Sequence, residues 1–90
     1  MTETAEARLK RMSMRSWRRG TKEMDLVLGP WADAHLKGMG PEALTLYDDL
    51  LEENDQDLAT WVMGTVAAPG RFAGLIGEIA GFARERLRER

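Results

Sequence analysis

The side chains best equipped for chemistry crowd into nine consecutive positions, Trp17-Arg18-Arg19-Gly20-Thr21-Lys22-Glu23-Met24-Asp25. Two arginines offer planar forks to carboxylates or carbonyls, and Glu23 and Asp25 can accept hydrogen bonds from a partner's donors. Gly20 can supply positive φ at a helix end and let another backbone come close. This is equipment for recognition. It does not suit bond-making, because the chain has no cysteine and one histidine, His35, which removes thiolate nucleophiles, cysteine-ligated metals and an imidazole relay. Ser13 and Ser16 stand in no nucleophile-elbow sequence, so no enzyme is expected. The corner could also close on itself, with Arg18 or Arg19 paired to Glu23 or Asp25; exposed pairs of that kind are common and contribute about 0–1 kcal/mol.

The elements that must hold these residues are helices. Apolar positions recur at helical spacing, strand-like alternation is absent, and prolines and glycines punctuate the pattern. A first helix is predicted over Thr4 to Arg18, with Leu9, Met12 and Trp17 near one side and Gly20 as its stop. Thr21 can cap a second, whose Met24, Leu28, Trp31 and His35 share one face. Pro30 falls inside that pattern and predicts a kink after Gly29 or a new start. Pro41 seats a third helix running to Glu53, with Leu44, Tyr47 and Leu51 on one face and Leu50 beside them. Asp55 can cap a short fourth helix containing Leu58, Trp61 and Val62. After a connector from Gly64 to Gly70, a fifth helix from Arg71 to Arg88 aligns Phe72, Leu75, Ile76, Ile79, Ala83 and Leu87. The expected fold is all-α, a compact five-helix bundle, with most aromatic rings in or at the edge of the core. His35, on the apolar side of its helix, is read as structural.

Ninety residues, 43% hydrophobic and 31% charged, describe one globular domain, 1–90, with residues 1–6 and 87–90 expected to fray. The longest weakly polar stretch, Trp61 to Ala68, falls far short of the roughly 20 residues of a membrane span. The N-terminus has no apolar leader segment and carries Glu3 and Glu6, so a cytoplasmic protein is expected. The net charge of −2 hides a strong asymmetry. Residues 1–22 carry seven basic and two acidic side chains; residues 23–57 carry Lys37 against ten carboxylates; the remainder is mildly basic. The basic first helix permits a nucleic-acid-binding alternative through Arg8, Arg11, Arg15, Arg18 and Arg19, against which the acidic pI of about 5.4 weighs. The acidic run from Asp48 to Asp57 reads as a solvated face ahead of the alternative, a partner-facing patch.

Arg19-Gly20-x-x-Glu23, followed by Met24-Asp25, resembles the RGxxE motif of the SdhE family, called succinate dehydrogenase assembly factor 2 in mitochondria. A second block agrees in register: Leu50-Leu51-Glu52-Glu53-Asn54-Asp55-Gln56-Asp57-Leu58-Ala59-Thr60-Trp61 is similar to that family's LLE…D-x-DL-x-x-W stretch, with Gln56 where many members have proline. The likeness runs from Arg8 to Met63. It implies an assembly factor that promotes covalent attachment of FAD to the flavoprotein subunit of succinate dehydrogenase, and in some bacteria of fumarate reductase. The bond joins the flavin 8α carbon to a histidine of the client, in a step thought to be self-catalysed through a quinone-methide-like tautomer. The resemblance assigns Arg19, Gly20 and Glu23 to the client contact, with Arg18 and Asp25 as neighbours. The sequence has no phosphate-cradling glycine loop, so no cofactor held stably by this chain is expected; nor is a nucleic-acid or membrane partner, and the expected state is a monomer, in the mitochondrial matrix should the source be eukaryotic.

Overall fold

A computed structural model describes residues 2–88, of Leu87 the backbone alone, so the outer ends of the expected fraying and the Leu87 side chain lie outside the described residues. Five α-helices form: α1 (Ala5–Trp17), α2 (Lys22–His35), α3 (Pro41–Leu50), α4 (Asp55–Met63) and α5 (Gly70–Arg88). One 3₁₀ turn, Leu36–Gly38, follows α2, and among the described residues there is no strand. The all-α bundle is as the periodicity predicts.

Local chemistry sets the boundaries. The hydroxyl oxygens of Thr4 and Thr21 accept the N–H groups of Ala7 and Met24, capping α1 and α2. Pro41 opens α3, where its missing N–H has no intrahelical partner to lose. Gly64 closes α4 at φ +81°, a left-handed turn whose N–H returns to the carbonyls of Thr60 and Trp61. Two boundaries depart from expectation. α3 stops at Leu50, ahead of Glu53, because a tight turn takes over in which the N–H groups of Glu52 and Glu53 reach back only three residues. The α4 cap is Asn54, whose side chain accepts the Gln56 N–H at 2.7 Å, and Asp55 faces another partner. α2 neither stops nor restarts at Pro30. The carbonyl that Pro30 cannot serve belongs to Leu26, a residue half open to solvent.

The core gathers Met12 of α1, Met24, Leu28 and Trp31 of α2, Tyr47 and Leu50 of α3, Leu58 of α4, and Phe72, Ile76 and Ile79 of α5. Its centre is a run of rings. Tyr47 tilts against Trp31 at 4.9 Å, Trp31 stacks on His35 at 4.6 Å, and His35 meets Phe82 edge-on at 5.2 Å, so α3, α2 and α5 are joined through aromatic contact. The Nδ1–H of His35 donates to the Trp31 carbonyl at 2.9 Å, a structural place for the single histidine. Met14 and Met63 stand exposed while Met12 and Met24 fill the core.

Trp17 departs from the expected core position. Its ring lies against Gly29 so closely that a Cβ there would sit 2.3–2.6 Å from three ring atoms, and its indole N–H points to Asp33 at 3.3 Å. The outer side of the ring stays open, at 39% exposure.

Beneath the α1 to α3 seam the Tyr47 hydroxyl and the Ser16 hydroxyl meet at 2.6 Å, and Ser16 also donates to the Met12 carbonyl, which leaves no polar atom of the pair unserved. Burial pushes the Tyr47 phenol up to about 12, with the Ser16 hydrogen bond opposing the shift. Tyr47 is the chain's one tyrosine, so tyrosinate absorbance reads this group alone. The folded protein is expected to ionise it near 12 and the urea-unfolded chain near 10. The folded-state value is the raised one. Its stability contribution is therefore complete below pH 10 and lost as pH rises toward 12. A midpoint near 10 in the folded state would show Tyr47 open to water.

Candidate functional site

The α1 to α2 corner is built from Arg18 to Thr21. Gly20 turns the chain at φ +102°, a backbone conformation that L side chains rarely adopt. The space around it is open: a Cβ there would meet only an oxygen of Asp55, at 3.9 Å. The requirement for glycine is therefore one of backbone dihedral angle, not of crowding.

Arg19 turns inward. Its Nε donates to Asp55 at 2.9 Å, one terminal nitrogen to the Leu51 carbonyl at 2.6 Å, and the other to the Glu53 carbonyl at 3.0 Å. With its side chain 7% exposed, the guanidinium closes the turn that joins α3 to α4, serving carbonyls that a helix end leaves without intrahelical partners. Its main-chain N–H donates to Asp25 at 2.6 Å. Asp25 is thus an internal acceptor for the corner's backbone, and Arg19 pairs with neither Glu23 nor Asp25 through its side chain. Arg18, Gly20 and Glu23 are exposed. Neither charged side chain has an ion pair among the described residues, so both are presented outward. The five predicted site residues are brought to one corner, three facing out and two holding it.

The inward arginine is the last rung of a ladder. Arg11 forks onto Asp48, with both contacts at 2.8 Å; Arg15 reaches Glu52 and the Leu51 carbonyl; Arg8 bonds Thr45 and lies 3.8 Å from Asp48. Residues 8, 11, 15 and 19 follow one side of α1 and its extension, facing 48, 52 and 55. Arg71 of α5 takes Asp49 from another side. The acidic run is therefore only in part a solvated face: Asp48, Glu52 and Asp55 are the chain's own counter-surface for the basic arm, while Glu52, at 69% side-chain exposure, stays largely open to water. The hydrogen bond from Arg11 holds the Asp48 carboxyl below the usual carboxylate range, and Asp48 in turn raises Arg11. Because the Asp48 value is depressed in the folded state, its stabilising contribution is present above the ordinary carboxylate pKa and lost as pH falls through the folded-state value.

Sequence reasoning missed Asp55 as a partner of Arg19, having assigned it to a helix cap. The available signal was the matched spacing of Arg8, Arg11, Arg15 and Arg19 against Asp48, Glu52 and Asp55. No group of three or more acidic or histidine side chains among the described residues could hold a metal ion, and no helix there is long and apolar enough to cross a membrane.

A family model described as flavinator of succinate dehydrogenase matches residues 10–83, a span that includes the corner, the ladder from Arg11 onward and most of α5. Among curated proteins, the chain is 36% identical over 72 residues to succinate dehydrogenase assembly factor 2-B, mitochondrial, of Drosophila mojavensis, covering 78% of this chain and 46% of that one. It is 35% identical over 63 residues to the FAD assembly factor SdhE of Acetobacter pasteurianus, covering 70% and 58%. To succinate dehydrogenase assembly factor 2, mitochondrial, of Kluyveromyces lactis it is 32% identical over 92 residues, covering 97% and 56%. The chain spans about half the length of these relatives.

Proposed function

The chain belongs to the flavinator of succinate dehydrogenase family, and from that premise we propose that it binds the flavoprotein subunit of succinate dehydrogenase and promotes covalent attachment of FAD to it. The observation that carries the reading is the outward presentation of Arg18, Gly20 and Glu23 on a corner fixed from behind. Such a surface meets a partner with little ordering left to do. The chain acts as a monomer in the cytoplasm of a bacterium, or in the mitochondrial matrix should its source be eukaryotic, and fumarate reductase is a second client where that enzyme is present.

The chemistry belongs to the client, which holds both FAD and the histidine that receives it. Binding favours the client arrangement in which those two groups are aligned, and the gain in rate comes from orientation. No reacting group is required of this chain, and FAD enters as the client's substrate. The nucleic-acid alternative loses four of the five side chains it relied on, since Arg8, Arg11, Arg15 and Arg19 face the chain's own carboxylates and carbonyls.

The test mixes apo-client, FAD and this protein, then follows flavin fluorescence in a denaturing gel. Protein-bound flavin is expected to rise above the level given by client and FAD alone; no rise would remove the reading. Glu23→Ala is expected to lower the stimulation about tenfold, equivalent to about 1.4 kcal/mol of client contact, with an unchanged circular dichroism spectrum because Glu23 is exposed.

A further inference from the structure

The RGxxE arginine is the one most readily imagined on a partner, yet Arg19 faces inward. Its three guanidinium nitrogens are engaged at 2.6–3.0 Å by Asp55, Leu51 and Glu53, and its side chain is 7% exposed. Asp55 has two roles in this arrangement. One oxygen accepts from Arg19, and the other lies beside Gly20, 3.9 Å from where a Cβ would stand. The side chain of Asp55 is itself only 17% exposed. Asp25 holds the same turn from the main-chain side.

We propose that Asp55 is a positioning residue of the client-binding corner. Together with the Leu51 and Glu53 carbonyls it fixes Arg19 inward, so that Arg18, Gly20 and Glu23 meet the flavoprotein while Arg19 itself does not touch it. The two sequence blocks then form one device: the turn between α3 and α4 is the socket, and the RGxxE turn is the part it holds. This rests on the client-binding reading above and adds to it a division of labour within the motif.

A double-mutant cycle in client affinity tests the assignment. Wild type, Arg19→Lys, Asp55→Asn and the double variant are titrated calorimetrically against the apo-flavoprotein subunit, at a temperature where circular dichroism shows each fully folded. Asp48→Asn serves as a control that removes an ion-paired carboxylate remote from the corner. Each single corner variant is expected to weaken binding about tenfold, the double variant no more than either, and Asp48→Asn less than twofold. Such non-additivity is the signature of groups acting as one unit.

The assignment is overturned if Arg19→Lys weakens binding while Asp55→Asn does not, or if the two losses multiply, since either result places Arg19 on the client. It is also overturned if Asp48→Asn weakens binding as much as Asp55→Asn, because the effect would then be general destabilisation. Failure of the wild-type protein to bind is a different result: it removes the proposed function and this assignment with it. Should Asp55→Asn not fold, Asp55→Glu takes its place in the cycle. In that variant the carboxylate is kept but displaced by one methylene, and the same non-additivity is expected.

Discussion

Arg19→Ala is expected to cost about 3–5 kcal/mol, the range seen when one member of a buried ion pair is removed and its partner left behind. The substitution strands Asp55 and leaves two carbonyls, those of Leu51 and Glu53, without the donor that now serves them. A domain of this size has about 5–13 kcal/mol in all, so the variant should lose a large part of its stability. Urea denaturation followed by circular dichroism measures it. Arg18→Ala, one residue away on the exposed side of the corner, should shift the curve by less than about 0.5 kcal/mol. Equal effects from the two would contradict the inward placement of Arg19.

Trp31→Ala should be of similar size, about 3–5 kcal/mol, for a different reason. Trp31 is 2% exposed and lies between Tyr47 and His35, so its removal opens the space where α2, α3 and α5 meet. Among the described residues the indole N–H is buried with no hydrogen-bond partner, which makes the ring's contribution one of volume and contact rather than of polarity. Trp31→Phe should therefore be much milder, about 1–2 kcal/mol, because the substitution removes an unserved donor along with part of the ring. The comparison is read from the same urea titrations. A Phe variant as damaged as the Ala variant would mean that the indole N–H finds a partner in solution.

Much of the fold could be read along the sequence because its determinants are local. Thr21 capping α2, Pro41 opening α3 and the shared face of Met24, Leu28 and Trp31 each depend on residues three or four positions apart. What could not be read depends on pairs far apart in the chain. Arg19 is 36 residues from Asp55, and Ser16 is 31 from Tyr47. Periodicity places each of these on a helix face without saying which face it meets. The error over the acidic run has the same origin, since a carboxylate stripe looks alike whether it meets water or arginine. Trp17 misled because its spacing fits a core position. Its ring is seated on Gly29 instead, a residue whose relevance is the absence of a side chain.

That contact between Trp17 and Gly29 has an evolutionary consequence. The ring occupies the volume of a missing methyl group, so the two positions form a single inherited character. Lineages that acquire a side chain at 29 must give up the large ring at 17, and those that keep tryptophan there must keep glycine twelve positions later. Among descendants of this sequence, a side chain at 29 should not appear while tryptophan stands at 17.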